Sequence, residues 1–350
     1  MKRVGDPRRI AGSWVAAAVS NGLAIDGAFL HGSIVWARNT DPLTPASDVD
    51  VLLVPAPGTE VPTRDKIVVD GVALDVSTID RAELEPPERA LGAYHLAGSL
   101  RSPDSILYDS HGWLGAIQRE VADHFDDPFW IEARCNHATH RSESNLERMI
   151  GASSDVERMM SWLFAAGVTA HILLSAGLRN PTVRNRYAMT RAMLTDLQHD
   201  EMYTPLIDLL DPARTTEREA THFVEQLAPL FDRAMQSRRT WFPFADDISP
   251  AGRIGATDGS RQLIRDGLPR EAMFWIGVTT ARCIAILACD DPERQSEFVG
   301  MFRDLAGHLR IGTANEGAAR AAEFQRVLPT IRQNARILID EHSEIETVRS

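Results

Sequence analysis

Hydrophobic periodicity changes once along this chain, and that change limits what it can fold into. From Ala24 to about Asp109, short apolar runs alternate with turn residues, at 28–31, 49–54, 66–69, 72–79 and 105–108. Each run has strand length, is rich in Val, Ile and Leu, and is bounded by Gly, Pro, Asp or Asn. Asp70-Gly71 separates two of them and reads as a two-residue hairpin turn, which needs positive φ at both positions. A helix over residues 7–21, stopped by Gly22, precedes the strands, and another short helix is expected after Gly32-Ser33. Beyond Gly112, apolar residues recur every three or four positions, over 113–125, 131–150, 155–176, 181–197, 216–239, 270–289, 293–309 and 316–339. Pro181 after Asn180, and Pro269, are start signals for two of these helices. The expected fold class is therefore α+β: a mixed-sheet domain over residues 1–112, then a large all-α domain over 113–350.

Charge and cysteine usage narrow the class of function. Acidic residues outnumber basic ones 49 to 37, giving a formal net charge of -12. That balance disfavours nucleic acid and anionic membrane as partners, and it suits a cationic small molecule or a metal–nucleotide complex. Cys135, Cys283 and Cys289 are odd in number and form no Cys-x-x-Cys pair, so a reducing cytoplasm is the expected compartment. The first ten residues are charged rather than apolar, and the stretch 274–287 is interrupted by Thr279, Thr280 and Arg282. Neither a signal peptide nor a membrane span is expected.

The segment that carries chemistry is Phe29-Leu30-His31-Gly32-Ser33, followed by Asp48-Val49-Asp50 at the head of an apolar run. Strand side chains alternate, so Asp48 and Asp50 project from one face with Cα atoms about 7 Å apart. Two such carboxylates repel unless cations sit between them, and hard divalent ions with oxygen ligands meet that need. Asp75, a charge inside the apolar run 72–79, is the third carboxylate. Asp70 and Asp80 flank the same strand and are explained by the turn and by helix capping. Gly32-Ser33 reads as a phosphate cradle at a helix start. Together these make a two-metal phosphoryl-transfer site.

A strand, Gly-Ser and a helix, then Asp-x-Asp opening the next strand and a carboxylate in a later one, resembles the nucleotidyltransferases of the DNA polymerase β superfamily. The helical remainder is most similar in general character to antibiotic nucleotidyltransferases, which modify aminoglycosides or lincosamides. The resemblance implies that Gly32 and Ser33 hold a triphosphate, that Asp48 and Asp50 ligate two Mg²⁺ ions, and that Asp75 completes the shell of one. It implies ATP as co-substrate, transfer of AMP to a hydroxyl of a small molecule, and release of pyrophosphate. The gap from Gly-Ser to Asp48 is longer than the usual one, and the insert 39–46, with two prolines, reads as an extra loop at the mouth of the site. Two other readings stay open: an acceptor that is tRNA or protein, and an inactive fold that senses nucleotide.

Further residues stand out. The basic stretch from Arg179 to Tyr187 offers Arg184 and Arg186 as nucleotide contacts, or else a solvated first helical turn. Lys66 could reach a phosphate or be an exposed strand lysine. Glu132, Glu143, Glu147 and Glu271 are the general-base candidates, and the sequence does not choose among them. His137 and His140 could share a helix face but lack a third ligand, so they read as a surface pair.

Overall fold

Alternation in the first third of the chain produces one five-stranded sheet of order β3-β4-β2-β1-β5. Its strands are β1 (Ile25–His31), β2 (Val49–Pro55), β3 (Arg64–Val69), β4 (Val72–Thr78) and β5 (Ile106–Asp109). The structure is a computed structural model describing residues 5–40, 48–59, 61 and 64–349, so most of the expected mouth loop at 39–46 lies outside the described residues. β1 pairs antiparallel with β2 and β5, β3 pairs antiparallel with β4, and β2 runs parallel to β4. The β3–β4 turn has the expected conformation, with φ of 48° at Asp70 and 70° at Gly71.

The two faces of the sheet are separate layers. Val49, Val51, Leu53, Val72, Leu74 and Val76 form one core with Ile10, Ala11 and Val15 of α1 (Gly5–Ser20). Phe29 and Val54, on the opposite face, pack with Leu91 of α2 (Pro87–Gly92), Leu100 of α3 (Ala97–Leu100) and Leu114, Ile117 and Val121 of α4 (Trp113–His124). The helix expected after Gly32-Ser33 is only a four-residue 3-10 turn, Gly32–Val35. Arg8 donates to the Ile34 and Ala37 carbonyls and Arg101 to that of Val35, so side chains hold the end of the turn.

The chain divides into two compact units. The first runs to His137 and adds Leu178–Thr182 and the residues from Ile339 onward. It therefore takes in α4, because Leu114, Ile117 and Val121 belong to the sheet's own core.

The second unit is helical. α5 (Pro128–Ile150) leads into it, followed by α6 (Asp155–Ala176), α7 (Arg186–Asp196), α8 (Tyr203–Leu210), α9 (Glu217–Ser237), α10 (Pro250–Arg253), α11 (Gly259–Arg265), α12 (Pro269–Asp290), α13 (Pro292–His308) and α14 (Ala314–Arg349). The helix expected from Pro181 begins at Arg186 instead, with Asn185 flanking it, because Asn180 and Thr182 close a tight turn. α8, α10 and α11 were not anticipated from the periodicity. α6 and α12 pack on each other and are apolar on most sides, as core helices are. Both have the length and mean hydropathy (1.5 and 1.7) of a membrane span, a property that counting uninterrupted apolar runs misses, yet 83% and 78% of those windows are buried.

Candidate metal centre

The alternation that buries Val49, Val51, Leu74 and Val76 under α1 turns the intervening residues to the other face. Asp50 and Asp75 then fall on the same rung of the parallel β2–β4 ladder, and His31 of β1 lies across from Asp50 on the other side. Asp48 stands just ahead of β2. One oxygen from each of Asp48, Asp50 and Asp75 lies within 4.8 Å of the other two. Asp75 is buried, at 9% exposure, and the other two are partly exposed. Three hard oxygen donors of like charge at this spacing suit a divalent cation such as Mg²⁺, which reduces their mutual repulsion.

Gly32 has φ of 69°, and a Cβ there would overlap the Asp50 carboxylate oxygen Oδ2. Only glycine satisfies both conditions. The absence of a side chain at position 32 is thus tied to Asp50 itself. Ser33 is exposed at the start of the 3-10 turn, which is too short to supply the helix dipole expected for a cradle. Sequence reasoning missed His31. Its Nδ1 lies 2.7 Å from Ser99 Oγ on α3, and burial pushes the imidazole down to about 4, so it is neutral at pH 7. Its one signal in the sequence is its position directly before Gly32.

Comparisons with protein-family models, curated proteins and solved structures gave no match.

The remaining expected residues lie on other elements. Arg184 and Arg186 belong to the second unit. Arg186 is 2% exposed, donates from Nε to the Val183 carbonyl at 2.7 Å and stacks over Phe274 at 4.2 Å. The Arg184 guanidinium packs where a Cβ on Gly255 would otherwise sit. Glu271 is buried in the second unit and accepts from the Tyr203 hydroxyl at 2.9 Å and from Arg191 Nη1 at 3.3 Å. Burial and the Glu271 carboxylate push the Tyr203 phenol far up. Glu132 and Glu147 are exposed and Glu143 partly buried. His140 is exposed, while the His137 ring lies against Tyr94 and His95, with centroids 5.3 and 5.5 Å away. The Lys66 backbone pairs opposite Asp75 in the β3–β4 ladder.

Proposed function

We propose that this chain is a metal-dependent nucleotidyltransferase. It moves a nucleoside monophosphate, AMP from ATP, to a hydroxyl of a small molecule and releases pyrophosphate. The observation that carries the reading is the convergence of Asp48, Asp50 and Asp75 within 4.8 Å on one rim of the sheet, with Gly32 pressed against Asp50.

The three carboxylates would hold two Mg²⁺ ions, which when bound neutralise phosphate charge and lower the pKa of an attacking hydroxyl. The chain's own contribution is preorganisation. β2 and β4 hold Asp50 and Asp75 on one rung, and buried neighbours on both strands prevent them from turning away. Gly32 leaves its side of the site without a side chain. In the transfer, the acceptor oxygen bonds to the α-phosphorus as the bridging bond to the β-phosphate breaks. That electron pair leaves with pyrophosphate, and the hydroxyl proton passes to solvent or a base. The acidic balance of the chain favours a polycationic acceptor such as an aminoglycoside, which would make the protein a cytoplasmic antibiotic-resistance enzyme.

Isothermal titration with ATP, in Mg²⁺ and then in EDTA, tests the first half of this reading. Pyrophosphate release across aminoglycosides, lincosamides, tRNA and a protein acceptor tests the second. Mg²⁺-dependent binding with turnover on a small cation is the expected result. Binding without turnover on any acceptor would favour a nucleotide sensor, and no Mg²⁺-dependent binding would end the proposal.

A further inference from the structure

Resting on the nucleotidyltransferase reading, we infer that His31 is a further triphosphate-binding residue and that Ser99 positions it, fixing the imidazole so that Nε2–H is presented beside the acid cluster. Cross-strand pairing places the His31 side chain on the same face as Asp50, with Cβ atoms about 5 Å apart. Its ring is anchored at one nitrogen, Nδ1, by Ser99 Oγ at 2.7 Å.

Ser99 is 3% exposed, and among the described residues its hydroxyl has no hydrogen-bond partner besides that nitrogen. A buried hydroxyl keeps its donor satisfied, so the O–H donates to the Nδ1 lone pair and the ring proton resides on Nε2. Nε2 makes no hydrogen bond among the described residues.

The anchor is itself held firmly. α3 sits tightly on the 3-10 turn: a Cβ on Gly98 would overlap the Trp36 ring, and Arg101 stacks over that ring at 4.1 Å. One rigid contact therefore supports both Ser99 and the turn that begins at Gly32. Three carboxylates repel a triphosphate wherever metal does not intervene, and a ring N–H donor adjoining Gly32 supplies attraction there without competing for the metal.

The test uses the full chain with two probes, a non-hydrolysable ATP analogue and inorganic tripolyphosphate, each with Mg²⁺, in isothermal titration. His31→Phe is expected to weaken both probes about tenfold or more, since the lost donor faces phosphate and not base. His31→Gln, which keeps an N–H donor, should recover most of that loss. Ser99→Ala should weaken binding several-fold and let the ring populate both tautomers, as read by ¹⁵N NMR of the imidazole. The wild-type ring should be the Nε2–H form. If wild type binds both probes and His31→Phe or Ser99→Ala binds as well as wild type, the inference fails while the enzyme reading stands. An Nδ1–H ring in the wild type overturns it by itself, whether or not the variants fold. If wild type binds neither probe, both fall.

Discussion

The two units arrange charge differently at the places described above. In the sheet-bearing unit, charges of one sign gather: three carboxylates share a space 4.8 Å across. In the helical unit, opposite charges and rings are matched locally. Glu271 takes hydrogen bonds from Tyr203 and Arg191, and fully buried Asp211 takes them from Thr215 and, at 3.0 Å, from Arg270. Asp290 receives the Arg239 and Thr240 amides, and Arg320 lies 4.4 Å over the Trp162 ring. Matched charges tie helices and loops together, and removing one leaves a buried partner unsatisfied. Gathered like charges do the reverse, raising the energy of the empty protein and lowering it when a cation arrives. Substitutions in the first unit should therefore cost activity, and those in the second should cost stability.

The largest effect expected is from Asp48→Asn and Asp50→Asn. Each should lower pyrophosphate release by about 10²-fold or more, while the metal-free melting temperature stays level or rises. Activity within a few-fold of wild type would break the contrast at its centre. Asp75→Ala should come next: on the proposed reading this carboxylate would serve only the ion that activates the hydroxyl, so MgATP affinity by titration should stay within a few-fold while turnover is lost. Equal losses in both measurements, or in neither, would remove Asp75 from that role. Gly32→Val should weaken MgATP by about tenfold or more, and it should also strain the fold, given the positive φ and the overlap with Asp50.

Two smaller effects concern the helical unit. Glu271→Gln should cost about 1–3 kcal/mol in denaturant unfolding, by weakening charged hydrogen bonds, and leave turnover of the folded enzyme unaltered. A turnover loss at full stability would instead restore Glu271 as a base. The smallest is pH-dependent. Amide donation from Arg239 and Thr240 holds the Asp290 carboxyl at about 2, below its unfolded value of 3.8. Its contribution is therefore complete above pH 4 and disappears as pH falls from there through 2. Melting curves across that range should slope less in Asp290→Asn than in wild type.

The sheet and the acid cluster were legible because alternation is a local signal. An aspartate between Leu74 and Val76 stands out in one dimension, and its facing follows from the period of two. What depends on distant partners was not legible. Glu271 meets Tyr203 from 68 residues away and Arg191 from 80, and His31 meets Ser99 across 68. No spacing rule encodes such contacts. The clash that reserves position 32 for glycine is likewise invisible until Asp50 is folded beside it. Helix starts misled where a proline signal served a turn, as at Pro181, and the four-residue turn at Gly32 is shorter than periodicity can resolve.

The shared rung of Asp50 and Asp75 has a consequence for how a gene like this one can change. One residue inserted within β4 ahead of Asp75 would swing its carboxylate to the α1 side of the sheet, among Val49, Leu74 and the helix's apolar residues. Two inserted residues would restore the facing but carry the carboxylate about 7 Å along the strand, out of reach of Asp50. Length changes that keep the cluster together would thus be confined to the loops, with the strands accepting only exchange of residues. Diversification of the acceptor would proceed by loop growth around an unaltered acid core.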